Sequence, residues 1–331
     1  MAKDDYAVLV GVTRYPHLED LKGPENDALA IEEWLTDPSG GAVPKKHVAV
    51  VTSSQFANNG DDPEPNQTHV YKRFEALIEE GRKRDPKPVG RRLYIFMAGH
   101  GAANPSDYYD TVLLMANAKA GAMGHYVAGR PVASYFSSAA YFQQIVLFMD
   151  CCRDSLPRAP LSALPWDTVS NPRGAQVEHC FGFATRWSRK ARERDFGDQE
   201  GSRGVFTRSV LEGLRAGCAT PRELQDFVEH RMPKLVGKGA YQKPEFMASD
   251  PDMALIDGAS TNLPRLLVKF SRPDPNVTVT VRDGRLSEIG TQAMDGPPWE
   301  LELRPGLYLL ERSDRDDPVT VNLTGDLDVE L

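Results

Sequence analysis

Short, uninterrupted apolar runs separated by helix-compatible stretches organise the first 257 residues and constrain the fold more than any other feature. Residues 6–12, 47–52, 92–98, 145–150 and 179–185 have strand length, and 253–256 reads as a shorter last strand. Helical apolar spacing covers residues 27–35, 68–84, 205–215 and 221–235. Strands that alternate with helices and read as near-continuous apolar runs predict a mainly parallel sheet covered on both faces. Ligands bind such sheets outside the carboxyl ends of the strands. The residues that follow each apolar run are therefore the candidates for chemistry.

The texture changes after about Gly258. Residues 266–270, 277–281, 299–303, 307–311 and 319–323 are short alternating runs separated by Pro, Gly and Asp, with no helical pattern between them. They predict a small all-β, sandwich-like domain over 261–331, following an α/β domain over 1–260. Two stretches are expected to be mobile connections: 156–176, rich in Pro, and 186–204, rich in Arg and Gly.

Composition excludes some function classes. The net charge of −8 argues against broad nucleic-acid binding, which needs a concentrated basic surface. No segment approaches about 20 continuous apolar residues, so no membrane span is expected. The chain opens with Lys3, Asp4 and Asp5 and a short apolar run, unlike a secretion signal, and a cytoplasmic location is expected. Cys151, Cys152, Cys180 and Cys218 have no paired CxxC spacing, which leaves packing or catalysis as their uses.

Two strand ends carry the residues of interest. Ala98-Gly99-His100-Gly101 follows one apolar run, and a His between glycines has an uncrowded imidazole beside accessible backbone N–H groups. Met149-Asp150-Cys151-Cys152-Arg153 follows another and sets a thiol at the mouth of the sheet. Singly, each reads as readily as a tight turn or a buried thiol. Together they offer a nucleophile, a base and N–H donors for an oxyanion.

These two segments resemble the catalytic motifs of the caspase and metacaspase peptidases, in which the His precedes the Cys by about 50 residues. The opening agrees: Gly23-Pro24-Glu25-Asn26-Asp27-Ala28 is similar to a metacaspase segment ending in Asn-Asp. Val205-Phe206-Thr207 resembles the segment after that family's fifth strand, so the likeness spans roughly residues 5–257. The resemblance implies a caspase-like α/β fold and a cysteine peptidase with Cys152 as nucleophile and His100 as its acid/base partner. It also implies an oxyanion hole from the N–H groups of Gly101 and Cys152, with Cys151 pointing inward. One departure concerns the residues after the nucleophile: Arg153-Asp154-Ser155 stands where metacaspases have His-Ser-Gly.

By the same resemblance, Asp27 and Asp150 match the two carboxylates that hold an Arg or Lys side chain of a protein substrate. Paired carboxylates in a partly desolvated pocket favour a cation and repel an acid. The rival is an Asp-specific pocket built on Lys22 with Arg186 or Arg189. The basic run Arg186, Arg189, Lys190, Arg192 and Arg194 reads either as a solvated loop or as a self-processing site. No organic cofactor is implied. Some metacaspases need calcium, but Asp61-Asp62 and Asp107 with Asp110 lack the spacing of a calcium loop, so no metal site is assigned. For the β domain, binding a regulatory partner, positioning substrates and covering the peptidase all stay open. The competing reading of the whole chain is a catalytically silent caspase-like scaffold acting through that domain.

Overall fold

The computed structural model describes residues 2–57, 61–104, 107–120, 124–155, 164–197, 201–237, 240–256, 264–284, 286–303, 306–323 and 325–331. The side chains of 104–109 and 155 are outside this description. Three expectations therefore fall partly or wholly outside it: the boundary near Gly258, the Pro-rich segment 156–163, and the acidic side chain of Asp107.

The first part of the chain runs β1 (Asp5–Gly11), α1 (Pro24–Thr36), β2 (Val48–Thr52), α2 (Gln67–Arg84) and β3 (Gly90–Gly99). A small sheet follows in β4 (Gly101–Asn104), β5 (Asp107–Leu114) and β6 (Tyr126–Ala128), then α3 (Gly129–Ala139), β7 (Phe142–Cys151) and β8 (Asp154–Ser155). Next come β9 (Glu178–Phe183), a hairpin of β10 (Glu193–Asp195) and β11 (Ser202–Gly204), α4 (Val205–Arg215), α5 (Pro221–Val236) and β12 (Glu245–Ala248).

Six strands form the main sheet in the order β12-β9-β7-β3-β1-β2. All neighbours are parallel except β12, which pairs antiparallel with β9 at the edge. Successive side chains of a strand point to opposite faces. In β3, Leu93, Ile95 and Met97 enter one buried cluster with α2 and α3, while Tyr94, Phe96 and Ala98 enter the other with α1, α4 and α5. The same division splits Val8 and Val10 from Ala7 and Leu9 in β1. Both faces are covered, which is the physical reason these strands read as unbroken apolar runs. Strand order reverses between β1 and β3, so the crevice beyond their carboxyl ends is the switch point where ligands bind.

One expected strand is absent. Met253, Leu255 and Ile256 are buried and Ala254 is exposed, but the segment forms no strand. The Leu255 N–H donates to Ala219 O, and the carbonyls of Ala254 and Leu255 accept from the Arg92 guanidinium and the Tyr94 hydroxyl. Side chains and a loop thus satisfy this backbone in place of a neighbouring strand. The last strand is instead β12, whose sequence Glu-Phe-Met-Ala is too short and mixed to stand out.

The C-terminal part comprises β13 (Arg265–Lys269), β14 (Thr278–Asp283), β15 (Glu288–Ala293), β16 (Trp299–Glu302), β17 (Gly306–Arg312), β18 (Val319–Leu323) and β19 (Leu327–Glu330). They form a three-stranded sheet, β16-β13-β19, and an antiparallel four-stranded sheet, β15-β14-β17-β18. Leu266 and Val268 of one sheet and Val279, Val281, Leu310 and Val321 of the other share a separate buried core. Strands β15 and β19 had no apolar signal to betray them, since most of their residues are exposed or half-buried.

Candidate active site

The carboxyl ends of β3 and β7 lie side by side, with Gly99 paired to Cys151 in the parallel register. The chain then turns out of both strands, and His100 and Cys152 open onto one cleft of about 500 Å³. Gly101, Asp27 and Asp150 line the same cleft. All five residues singled out from sequence are thereby brought together. Gly101 is held to glycine by proximity: a Cβ there would lie 2.6 Å from Cys151 Sγ and 2.7 Å from Cys152 O. That contact fixes the His-bearing strand end against the Cys-bearing one.

Of the two cysteines, Cys151 is buried and Cys152 is partly exposed. Burial pushes both thiols above the ordinary range, and Cys151 farther. Cys152 Sγ lies 3.7 Å from Ala191 O, to which the thiol donates. A carbonyl can only accept, so this contact belongs to the protonated thiol.

Loop residues after β1 hold His100. Its Nε2 lies 2.6 Å from Glu19 O. The carbonyl requires a donor, so Nε2 carries the proton and Nδ1 keeps the lone pair of the neutral ring. Tyr15 acts from the other side. Its buried hydroxyl accepts the His100 backbone N–H at 2.9 Å and donates to Leu114 O at 3.0 Å, while its ring meets the imidazole edge-on at 4.6 Å. Neither Glu19 nor Tyr15 was found from sequence. Glu19 works through a main-chain carbonyl, which any residue type supplies. Tyr15 carried a signal only as an aromatic in a polar turn.

The carboxylates sit deeper. Asp27 is 1% exposed in the first turn of α1, and Asp150 is buried near the end of β7. Arg203 Nε donates to Asp27 Oδ1 at 2.7 Å and Gly204 N to Oδ2 at 2.8 Å. Thr207 donates to Asp150 Oδ2 through its N–H at 3.0 Å and its hydroxyl at 2.6 Å. Burial raises the pKa of both acids, and for Asp27 the neighbouring Asp150 raises it further. Arg203 works in the opposite direction on both.

In the stretch 186–204, expected as a mobile connection, the described residues 186–197 and 201–204 are tied to the site. Ser188 N–H donates to Arg153 O and Arg153 N–H to Arg189 O, each at 2.9 Å. Glu193 accepts the N–H groups of Lys22 and Gly23 at the start of α1, and Asn26 donates to Ser202 O. Backbone groups that would otherwise be unsatisfied at the helix N-terminus are the reason this hairpin is held. Arg153, where the sequence departs from metacaspases, is fully buried. It donates to Thr185 O and Glu245 and lies over the Phe183 ring, bracing the residue after Cys152. Lys22, Arg186 and Arg189, the rival pocket, are exposed and do not line the cleft, whereas Lys190 and Arg192 do.

Three comparisons bear on this arrangement. A probable protease from a Desulfuromonadales bacterium is 26% identical over 243 residues, covering 64% of this chain and 26% of that protein. The chain thus spans about a quarter of that relative's length. The crystal structure of caspase-1 from Spodoptera frugiperda matches with a TM-score of 0.50 at 13% identity, over 74% of this chain and 86% of that one, a likeness of fold. The peptidase C14 profile, described as the caspase domain, matches residues 4–255. A match over that much of the sequence, on a fold whose paired strand ends carry His100 and Cys152, makes the chain a member of the caspase-domain family of cysteine peptidases.

Proposed function

We propose that this chain is a cysteine endopeptidase that cleaves protein substrates after Arg or Lys, with Cys152 as nucleophile and His100 as acid/base partner. The observation that carries the reading is the shared cleft: the two strand ends open onto it, and a buried pair of carboxylates forms part of its wall. Cys152 rests as a thiol, so its proton passes to Nδ1 of His100 as sulfur attacks the scissile carbonyl. The N–H groups of Gly101 and Cys152 stabilise the resulting oxyanion. Collapse breaks the C–N bond, the leaving amine takes the proton from His100, and a thioester to Cys152 remains. His100 then draws a proton from water as the water oxygen attacks the thioester; the C–S bond breaks, the acid leaves, and Cys152 takes the proton back from His100.

For specificity the deciding quantity is burial. Two unit charges 4 Å apart interact by about 4 kcal/mol at an effective dielectric of 20, against about 1 kcal/mol in water. Lys190 and Arg192 also line the cleft but are exposed and screened, whereas Asp27 and Asp150 are buried. A cationic side chain is therefore the better ligand. The same preference would let one copy cut another in the exposed basic run 186–194, and intact-mass spectra of an active preparation should show those cuts.

The test is hydrolysis of fluorogenic peptides ending in Arg, Lys or Asp by wild type and Cys152→Ala. Cleavage after Arg and Lys that disappears in the variant is the expected result. Cleavage after Asp alone would retain the dyad and overturn the basic preference. Silence on every peptide, with and without calcium and after limited proteolysis, would favour the scaffold reading.

A further inference from the structure

The acid pair is built around a backbone atom and a buried cation. Gly204 lies between the two carboxylates: a Cβ there would sit 2.1 Å from Asp150 Oδ2 and 2.8 Å from Asp27 Oδ2. The two acids therefore face each other across one residue, close enough to repel in a desolvated wall. Arg203, the residue before, is 2% exposed and meets Asp27 through its Nε. It does not line the cleft, so its guanidinium reaches the pair from the protein side.

We propose that Arg203 is a specificity-determining residue: it neutralises one of the two carboxylates and leaves one negative charge facing the cleft, the charge that a single basic side chain of the substrate satisfies. This rests on the basic preference proposed above. Two carboxylates and one guanidinium sum to −1, and a bound Arg or Lys brings the buried cluster to neutrality. With the guanidinium absent, burial and mutual repulsion raise both titrations: one bound proton leaves the pair at −1, but the second is then taken up at higher pH than in wild type, and a doubly protonated pair no longer attracts a cation.

Other charged groups face the pair and bear on its titration. Glu193 on β10 opposes ionisation of Asp150, but its carboxylate is engaged by the Lys22 and Gly23 N–H groups. Thr207 on α4 favours ionised Asp150. Asp154, Glu19, Lys190 and Arg192 line the cleft, as do Cys152 and His100, which every substrate uses. A ratio of two substrates removes the dyad from the measurement, because both use it equally.

The experiment compares wild type, Arg203→Gln and Arg203→Lys on peptides with Arg or its neutral isostere citrulline before the scissile bond, across pH. The Arg-to-citrulline ratio of kcat/KM should fall about tenfold in Arg203→Gln near pH 6 and recover at higher pH, while Arg203→Lys keeps most of it. In parallel, 13C NMR of carboxyl-labelled aspartate in the full chain should show Asp27 and Asp150 titrating at higher pH in Arg203→Gln. A ratio that rises would make Arg203 a competitor of the substrate and overturn the proposal. So would an equal loss on both peptides at every pH, with the carboxyl titrations unmoved. If wild type itself shows no preference for Arg, the basic reading fails independently. The NMR titration then decides alone: moved, Arg203 still sets the charge of the pair; unmoved, it does not.

Discussion

Buried charge lies at both ends of the main sheet, and the two ends are built in opposite proportion. At the amino ends of the strands, Asp5 is 0% exposed and stands between two guanidinium groups. Arg91 grips it with Nε at 3.1 Å and Nη2 at 2.9 Å, and Arg92 with Nη1 at 3.1 Å. The remaining nitrogens of Arg92 reach Gln144 Oε1 and Ala254 O, so that cluster is closed by protein groups. At the carboxyl ends, two carboxylates share Arg203, and the wall they form opens on a cleft. The surplus cation of the amino-end cluster, Arg91, is 29% exposed and reaches water, whereas both acids of the carboxyl end are buried, where an unmatched charge is costly. A wall that keeps an unmatched negative charge is built for something that arrives from outside.

The largest expected effect breaks the closed end. Asp5→Ala leaves Arg91 and Arg92 without their shared carboxylate, and removing one partner of a buried pair costs about 3–5 kcal/mol. Urea unfolding should show the midpoint falling with the slope unchanged, while kcat/KM per folded molecule is retained. A loss within about 0.5 kcal/mol would mean that water reaches this cluster and that the two ends do not differ as argued.

Asp27→Asn is the matched test at the open end, and the sign of its outcome is different. It leaves Asp150 and Arg203 as a balanced pair, but an amide has one oxygen, which can replace only one of the two acceptors that Arg203 Nε and Gly204 N now use. Stability should therefore fall by about 1–2 kcal/mol, the cost of one buried donor left without its acceptor and less than that of Asp5→Ala. Cleavage of Arg peptides should fall about 10–100-fold in kcat/KM, or about 1.4–2.8 kcal/mol of transition-state binding, with citrulline peptides little affected. A stability loss as large as that of Asp5→Ala, with all substrates affected alike, would make Asp27 a structural acid like Asp5.

The difference between the ends also explains what could be read from sequence. Strands β1, β3 and β7 were legible because two covered faces make their middle residues apolar, and the paired clusters at their carboxyl ends were legible because Gly-His-Gly and Asp-Cys-Cys interrupt those runs abruptly. Helix α3 was not found, although Val132, Tyr135, Phe136 and Ala139 recur at helical spacing on its buried side; its Gly-Arg-Pro start has no capping side chain to mark it. Nor was Arg203: it sits 176 residues from Asp27, inside a stretch whose many arginines read as a solvated loop. Its partner is set by the hairpin that fastens the stretch to α1, a long-range contact with no local mark. Met253 and Leu255 misled in the opposite direction, being apolar because they cover the sheet rather than extend it.

The smallest effect sharpens the open end most finely. Asp150 takes two hydrogen bonds from Thr207, and only the one from the hydroxyl can be removed by substitution. Thr207→Val keeps the shape and the backbone donor but deletes a 2.6 Å bond that favours the ionised carboxylate. Burial already holds the pKa of Asp150 above the ordinary range, so losing this donor moves it further up. The group must be ionised to hold a cation, so the acidic limb of the Arg-to-citrulline ratio should move to higher pH. A hydrogen bond to a charged group is worth about 1.5–3 kcal/mol, and the remaining N–H bond absorbs part of the loss, which puts the expected fall at about three- to tenfold on the limb and near none above it. Thr207→Ser restores the hydroxyl and should restore the limb. Were Thr207→Val to lower the ratio equally at all pH values, Asp150 would shape the pocket sterically, and Asp27 with Arg203 would carry its charge without it.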